Sequence, residues 1–346
     1  MKSKDLAYDT LEFLRNKPDA CLLIDGESLA LFLDSFKDEF ISLAVRLPAV
    51  VACRCTPTQK ADIARLIRAF TKKRICCIGD GGNDVSMIQA ADVGVGIVGK
   101  EGRQASLAAD FSITQFAHLT KLLVWHGRNS YKRSAKLAQF VIHRGLIISV
   151  CQTMFSIASR FEPIALYQGW LLVGYATLYT MAPVFSLVLD KDVDEHLANL
   201  YPELYKELTE GRSLSYKTFF IWVLVSVYQG GIIQGMSQLL VGVGAESFKQ
   251  MVSVSFTSLV MNELVMVAIE VTTWHIYMVL TLLATAAAFF VSLPGLGEYF
   301  DLGYVITGGF LWRVVAIVAA AVGPPWVVRV VGRRWRPPSW DKVRGV

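Results

Sequence analysis

"RICCIGDGGNDVSMIQAADVGVGI", residues 74 to 97, puts two aspartates and three glycines into six positions directly behind a short apolar run. "RICCIGD" (74–80) reads as a buried strand, the stretch from Asp84 to Ala91 as helical, and "VGVGI" (93–97) as a second strand. Strand, helix, strand implies a parallel sheet, because a chain returning in the same direction needs a crossover of that length. Working outward, "PTQKADIARLIRAFTKK" (57–73) repeats apolar residues at helical spacing through Ile63, Leu66, Ile67 and Phe70. It lies between 74–80 and another predicted strand, "PAVVACRCT" (48–56). "ACLLIDGESLALFL" (20–33) reads as a strand and "DFSI" (110–113) as a short final one, so the first third of the chain is expected to be a doubly wound α/β head.

In open α/β sheets the carboxyl ends of strands face the crevice where ligands bind. Asp80 and Asp84 fall at that edge, and two neighbouring hard oxygen ligands suit magnesium, which adds waters and substrate phosphate to one or two carboxylates. Gly79, Gly81 and Gly82 let backbone approach a ligand closely, and Asn83 supplies a donor and an acceptor. Lys60, at the start of the preceding helix, would bring a point cation to phosphoryl charge at the same edge. Against this stand a capping role for the two aspartates and a solvated helix lysine. The order G-D-G-G-N-D departs from G-x-G-x-x-G, which weakens a dinucleotide-binding reading. Pattern alone leaves these alternatives open.

The rest of the chain is greasier. Of 346 residues 53% are hydrophobic, and the mean hydropathy of +0.44 exceeds that of ordinary soluble domains. The excess lies in 137–331, where apolar blocks at about 137–158, 164–189, 219–240, 252–272, 276–293 and 304–331 match the roughly 20 residues that cross a bilayer. The organisation expected is a cytosolic head at 1–120, a basic linker helix at 121–136, a six-helix membrane domain at 137–331 and a basic tail at 332–346. "MKSKDLAYDTLEFLRNKPDA" has the polar, amphipathic character of a helix and not of a signal peptide, so the head is expected in the cytosol. An even number of spans returns the C-terminus to that side, where six basic residues lie between Arg329 and Arg344.

The net charge of +5 is small, and its clusters, "GRNSYKRSAK" (127–136) and "RVVGRRWRPPSWDKVR" (329–344), suit a membrane face and not a nucleic acid. Trp170, Trp222, Trp274, Trp312 and Trp326 are candidates for interface anchors or for packed aromatics. The six cysteines form no CxxC pair and are expected to be reduced, buried thiols.

"CRCTPTQKADI", followed by "CCIGDGGNDVSMIQAADVGVGIVGKEGRQASLAADFSITQF", closely resembles the P-type ATPases, in particular the type IV phospholipid flippases, and the likeness continues through "LYQGW", "YTMAPVFSLVLDKDV" and "YPELY". The resemblance implies a partial phosphorylation domain of haloacid dehalogenase type followed by an all-α membrane domain. It implies that Asp80 and Asp84 hold Mg2+ with Asn83 completing the network, and that Lys60 contacts an aspartyl phosphate derived from ATP. It further implies movement of phospholipid toward the cytosolic leaflet of the bilayer. "GDGGND", with Gly82 where most flippases have alanine, together with "VIHRG", resembles the branch that works without an accessory β-subunit, whose members sit on Golgi, trans-Golgi and endosomal membranes.

The family phosphorylates the aspartate of a DKTGT motif, and that string does not occur in these 346 residues. Asp25 lies in an I-D-G stretch that the family also has and does not phosphorylate. A chain without the nucleophile is expected not to turn over ATP by itself. It therefore reads as the C-terminal portion of a flippase, or alternatively as a non-catalytic membrane protein that assembles with or regulates a full-length ATPase. A cation pump is disfavoured by the scarcity of carboxylates in the first two spans.

Ionisable groups within spans mark pathways by default. His143 and Arg144 lie about two turns into the first span, and Arg144 stands where the family carries a lysine implicated in the lipid path. With Tyr175 and Thr180 it forms the candidate lipid path, although Ala176 replaces a usual asparagine. Pro183 is expected to break the second span. Asn262, Glu263 and Glu270 of the fourth span are expected to pair with Arg313 of the last as structural glue.

Overall fold

The structure, a computed structural model, describes residues 4–17, 19–99, 103–209, 211–244, 247–335 and 337–344. Glu101 and Gly102 of the family-like motif, Arg336 of the basic tail, and the side chains of Arg212 and Arg344 lie outside the described residues. The chain divides into two units, Met1–Leu119 and Thr120–Val346.

The first unit runs α1 (Lys4–Arg15), β1 (Cys21–Asp25), α2 (Gly26–Ser35), α3 (Lys37–Ala44), β2 (Ala49–Cys53), α4 (Pro57–Thr71), β3 (Cys76–Gly79), α5 (Val85–Ala90), β4 (Val93–Ile97), α6 (Gln104–Ala108) and β5 (Phe111–Ile113). All strand pairs are parallel, but they form two sheets: β1 with β2, and β3-β4-β5 with β4 in the middle. α4 joins β2 to β3 as expected, yet those strands are not partners, so the single doubly wound sheet read from the sequence is replaced by two smaller ones.

The strand predicted over 20–33 is short for a local reason. Asp25 accepts from the Ser28 amide at 3.0 Å and caps α2, which ends β1 and sends Leu29 and Phe32 into the core on a helical face. α4 starts at a capping box: Thr56 accepts from the Gln59 amide while the Gln59 side chain accepts from the Thr56 amide. The thiols also differ from expectation. Only Cys77 and Cys151 are buried; Cys21, Cys53 and Cys76 are exposed, since β2 is exposed along its whole length and β1 along one face.

In the second unit a π-helical stretch, Lys121–Gly127, leads into α7 (Arg128–Ala158). There follow α8 (Gly169–Ala176), α9 (Met181–Ser186), α10 (Tyr216–Val241), α11 (Phe248–Glu270), α12 (Ile276–Ser292) and α13 (Gly308–Trp335). Among the described residues six helical stretches are long and apolar enough to cross a membrane, which fits a multi-pass membrane protein. α11 is the inner one: 78% of its apolar window is buried, against 22–44% for the others.

Two proline sites shape this bundle. The second span breaks at Thr177–Thr180, one turn before Pro183, because proline lacks the N–H for Tyr179 and its ring crowds that carbonyl. α13 passes through Pro324 and Pro325, which frees the carbonyls of Ala320 and Ala321. Neighbouring α10 answers both: Tyr228 Oη donates to Ala320 at 2.9 Å and Gln229 Nε2 donates to Ala321 at 3.2 Å. Trp222 packs edge-on against Phe140 and His143, whereas Trp170, Trp274, Trp312 and Trp326 are exposed.

Candidate functional site

β3 ends at Gly79, and the next five residues turn the chain through a 3-10 segment, Gly82–Asp84, into α5. Asp84 folds back over the turn: its Oδ2 accepts from the Asp80 amide at 3.3 Å, and its Oδ1 receives Lys60 Nζ at 2.8 Å. Neither the 3-10 segment nor α5 has a side-chain cap, so Asp80 and Asp84 are not capping residues. The Asp80 side chain is exposed, and Asn83 beside it is exposed as well.

The three glycines serve different ends. A Cβ on Gly79 would lie 2.3 Å from the Asp84 Cβ, so only glycine allows that side chain to fold over the strand end. A Cβ on Gly82 would meet only the flexible Gln104 side chain, and one on Gly81 meets nothing closer than 4.0 Å. None of the three has a positive φ.

Lys60 thus stands on Asp84, with one carboxylate oxygen engaged and the Asp80 carboxylate exposed next to it. Among the described residues no three His, Cys, Asp or Glu side chains gather into a protein-only metal cage. Two carboxylates on an open turn are the donor set that magnesium takes when waters and a phosphate complete its shell, so these residues fit that ion. Asp25 is otherwise occupied. Hydrogen bonds from the Ser28 hydroxyl and amide hold its carboxyl below the usual range, as suits a helix cap.

In the second unit, the three residues singled out for a lipid path form one cluster at the break between α8 and α9. Arg144 donates to Thr180 Oγ1 at 2.9 Å and to the Ala176 carbonyl at 3.3 Å; Thr180 donates to the Tyr175 carbonyl at 2.5 Å; Tyr175 Oη donates to the Arg144 carbonyl at 3.1 Å. The carbonyls left unpaired by the broken helix are satisfied by these side chains.

The expected pairing with Arg313 does not occur. Arg313 contacts Tyr304, and Glu270 is held instead by Arg329, with Arg329 Nη2 at 2.7 Å from Oε2. Asn262 donates to Gln229 at 3.3 Å, and Glu263 faces His143. His143 is fully buried.

The basic residues of 128–136 have protein partners that the sequence did not reveal. Arg128, only 1% exposed, reaches Asp192 at 2.8 Å, Glu207 at 3.3 Å and the Leu204 carbonyl. Lys132 adds Asp192 at 2.7 Å, Lys136 takes Asp190 at 2.5 Å, and Arg133 donates to the Asp190 carbonyl at 2.7 Å. Burial pushes the Asp192 carboxyl up, but Lys132 and Arg128 outweigh it and hold it below the usual value. The acidic residues of "LDKDVDE" were the available signal: a polar loop opposite a basic helix end. A cavity of about 720 Å3 opens beside this cluster, with Trp222, Leu224, Tyr228 and Trp326 among its apolar walls and Lys132, Lys136, Arg329 and Arg333 at its polar side.

Residues 106–338 match the family described as phospholipid-translocating P-type ATPase C-terminal. Phospholipid-transporting ATPase NEO1 of Saccharomyces cerevisiae is 63% identical over 338 residues, which are 98% of this chain and 29% of that protein. Probable phospholipid-transporting ATPase IIB of Danio rerio is 55% identical over 337 residues, 97% of this chain and 30% of the relative. Phospholipid-transporting ATPase neo1 of Schizosaccharomyces pombe is 51% identical over 344 residues, 99% of this chain and 33% of the relative. The chain thus spans about a third or less of the length of these curated relatives.

Proposed function

The chain belongs to the phospholipid-translocating P-type ATPases, a family of ATP- and magnesium-using translocases, and from that premise we propose that it supplies the dephosphorylation half of a phosphoryl site together with six spans of a lipid pathway. The observation that carries this reading is the turn after β3, where Gly79 admits Asp84 over the strand end and Lys60 closes on it from α4. Asp80 and Asp84 would hold magnesium, Asn83 would complete their network, and Gly81 and Gly82 leave the backbone of the turn open on its outer side. When bound, magnesium neutralises developing charge on a phosphoryl group. Lys60 holds Asp84 in place and offers its remaining donors to the phosphate.

The first unit is read as part of a haloacid-dehalogenase-like domain, supported by parallel strands with the carboxylates at a strand's carboxyl end. Phospholipid is the cargo, with Arg144, Tyr175 and Thr180 at the helix break as its polar contacts; the guanidinium suits a phosphate. Work without a β-subunit and residence in Golgi and endosomal membranes are part of this proposal, supported by Gly82 in "GDGGND" and by "VIHRG". A second reading is a regulator that assembles with a complete ATPase.

Calorimetric titration of the purified chain with magnesium tests the site. One binding event is expected, lost in Asp80→Asn and weakened in Asp84→Asn; equal binding by wild type and both variants overturns the assignment. Genomic sequence upstream of the codon for Met1 separates the two readings, since an in-frame DKTGT supports the translocase and its absence supports the regulator.

A further inference from the structure

Deep in the second unit, His143 of α7 and Glu263 of α11 face each other with no exposed surface on either. The imidazole Nε2 is 3.5 Å from Glu263 Oε1, and the Tyr175 hydroxyl, which donates to the Arg144 carbonyl, is the other polar group beside the carboxylate. Both residues lie in helices long and apolar enough to cross a membrane, and α11 is the most enclosed of them.

The hydrogen bonds on the far side of the imidazole decide where its protons are. Ser226 Oγ donates to the Trp222 carbonyl at 2.7 Å, which uses its only proton. The same oxygen lies 2.7 Å from His143 Nδ1 and therefore accepts from it, so Nδ1 carries a hydrogen. In a neutral ring Nε2 is then bare. A bare nitrogen opposite an ionised carboxylate would bring two lone pairs together and leave a negative charge in the bundle core offset only by the Arg144 guanidinium and the Tyr175 hydroxyl nearby, a costly state for a buried carboxyl group. A single additional proton removes that cost from either side. On Nε2 it makes an imidazolium–carboxylate pair; on Oε1 it makes a carboxylic acid that donates to the imidazole. Passing between the two states breaks one N–H bond and forms one O–H bond, with no change in the net charge of the pair.

We infer that His143 and Glu263 form a proton-binding site in the membrane core, holding one exchangeable proton between α7 and α11. The other ionisable groups that bear on Glu263 are Arg144 and Cys151 of α7 and Tyr175 of α8. Arg144 and Tyr175 are tied to the break between α8 and α9, so the proton site and the candidate lipid contacts share neighbouring residues on one helix. Separating α7 from α11 with the proton on Nε2 would strand an imidazolium and a carboxylate, whereas with the proton on Oε1 both groups part uncharged, so separation of the helices favours the proton on Glu263.

The chain contains five histidines, few enough for nitrogen-15 spectroscopy of the histidine-labelled full chain in phospholipid nanodiscs, with the His143 signals identified by their loss in His143→Gln. The expected wild-type spectrum has Nδ1 protonated and Nε2 displaced from the position of a bare nitrogen. Glu263→Gln should move Nε2 to the bare position, and Glu263→Asp, which keeps the acid but withdraws it by one methylene, should move it part of the way. Ser226→Ala retains both members of the pair and should leave Nε2 displaced. A bare Nδ1 in the wild type, or an Nε2 signal that is the same in wild type, Glu263→Gln and Glu263→Asp, overturns the site. The measurement uses neither nucleotide nor magnesium, so its failure would leave the phosphoryl-site reading standing.

Discussion

Replacing Arg128 by alanine removes the cation on which the segment 190–207 is fastened. The guanidinium places two N–H groups on one oxygen of Asp192, at 3.1 and 2.8 Å, with further contacts to Glu207 and the Leu204 carbonyl. Hydrogen bonds to charged groups contribute about 1.5–3 kcal/mol each, and breaking a buried pair from one side costs about 3–5 kcal/mol. Lys132, still 2.7 Å from Asp192, keeps the stranded carboxylate partly compensated, so the lower end of that range, about 3 kcal/mol, is expected for Arg128→Ala. Combining Arg128→Ala with Asp192→Ala should cost less than the sum of the single changes by about 2 kcal/mol, because each removes the same contact. Equilibrium unfolding of the four proteins in detergent micelles measures both quantities. A loss below about 1 kcal/mol for Arg128→Ala, or additive single changes, would refute the buried-clasp reasoning.

Other outcomes follow from the same contacts. Gln229→Leu strands the Ala321 carbonyl and the Asn262 amide and should cost about 2 kcal/mol in the same unfolding assay, while Tyr228→Phe, which strands one carbonyl, should cost about 1 kcal/mol. Gly230→Ala would set a Cβ 2.9 Å from the Ile147 carbonyl and 2.8 Å from the Val150 Cβ, and should cost about 1–3 kcal/mol by forcing α7 and α10 apart. With its folded-state value depressed below 3.8, Asp192 contributes stability that is complete above that value and is lost as pH falls through the lower folded-state one. Acid titration of stability should therefore show wild type and Asp192→Asn converging at low pH; parallel curves would count against the ion cluster.

Local signals carried far in this chain. Short apolar runs, the helical spacing of Ile63, Leu66, Ile67 and Phe70 and apolar blocks of bilayer length are all determined by neighbours in sequence, and the corresponding strands, α4 and the six long helical stretches are where those signals put them. The grouping of Asp80, Asp84 and Lys60 was legible because the turn is built from six consecutive positions plus one lysine from the helix before it. What sequence concealed depends on partners far along the chain. Arg128 is 64 residues from Asp192, and the carbonyls of Ala320 and Ala321 that Pro324 and Pro325 set free are met from 92 residues earlier in the chain, by Tyr228 and Gln229 of α10. The extent of the strand at 20–33 was misjudged for the opposite reason. Asp25 acts as a cap only because the Ser28 amide is within reach, a detail of dihedral angles that apolar content does not report.

The tandem prolines of α13 leave two rungs of its own ladder unmade and hand them to α10. The helix is therefore jointed at that level, and the two tethers from Tyr228 and Gln229 latch the joint. Any displacement of α10 pulls on both, and the turns beyond the joint carry Arg329 and, through it, Glu270 at the end of α11. α13 is thereby tied to α10 at the level of its prolines and to α11 one turn further on, so the three helices are fastened to one another at neighbouring heights.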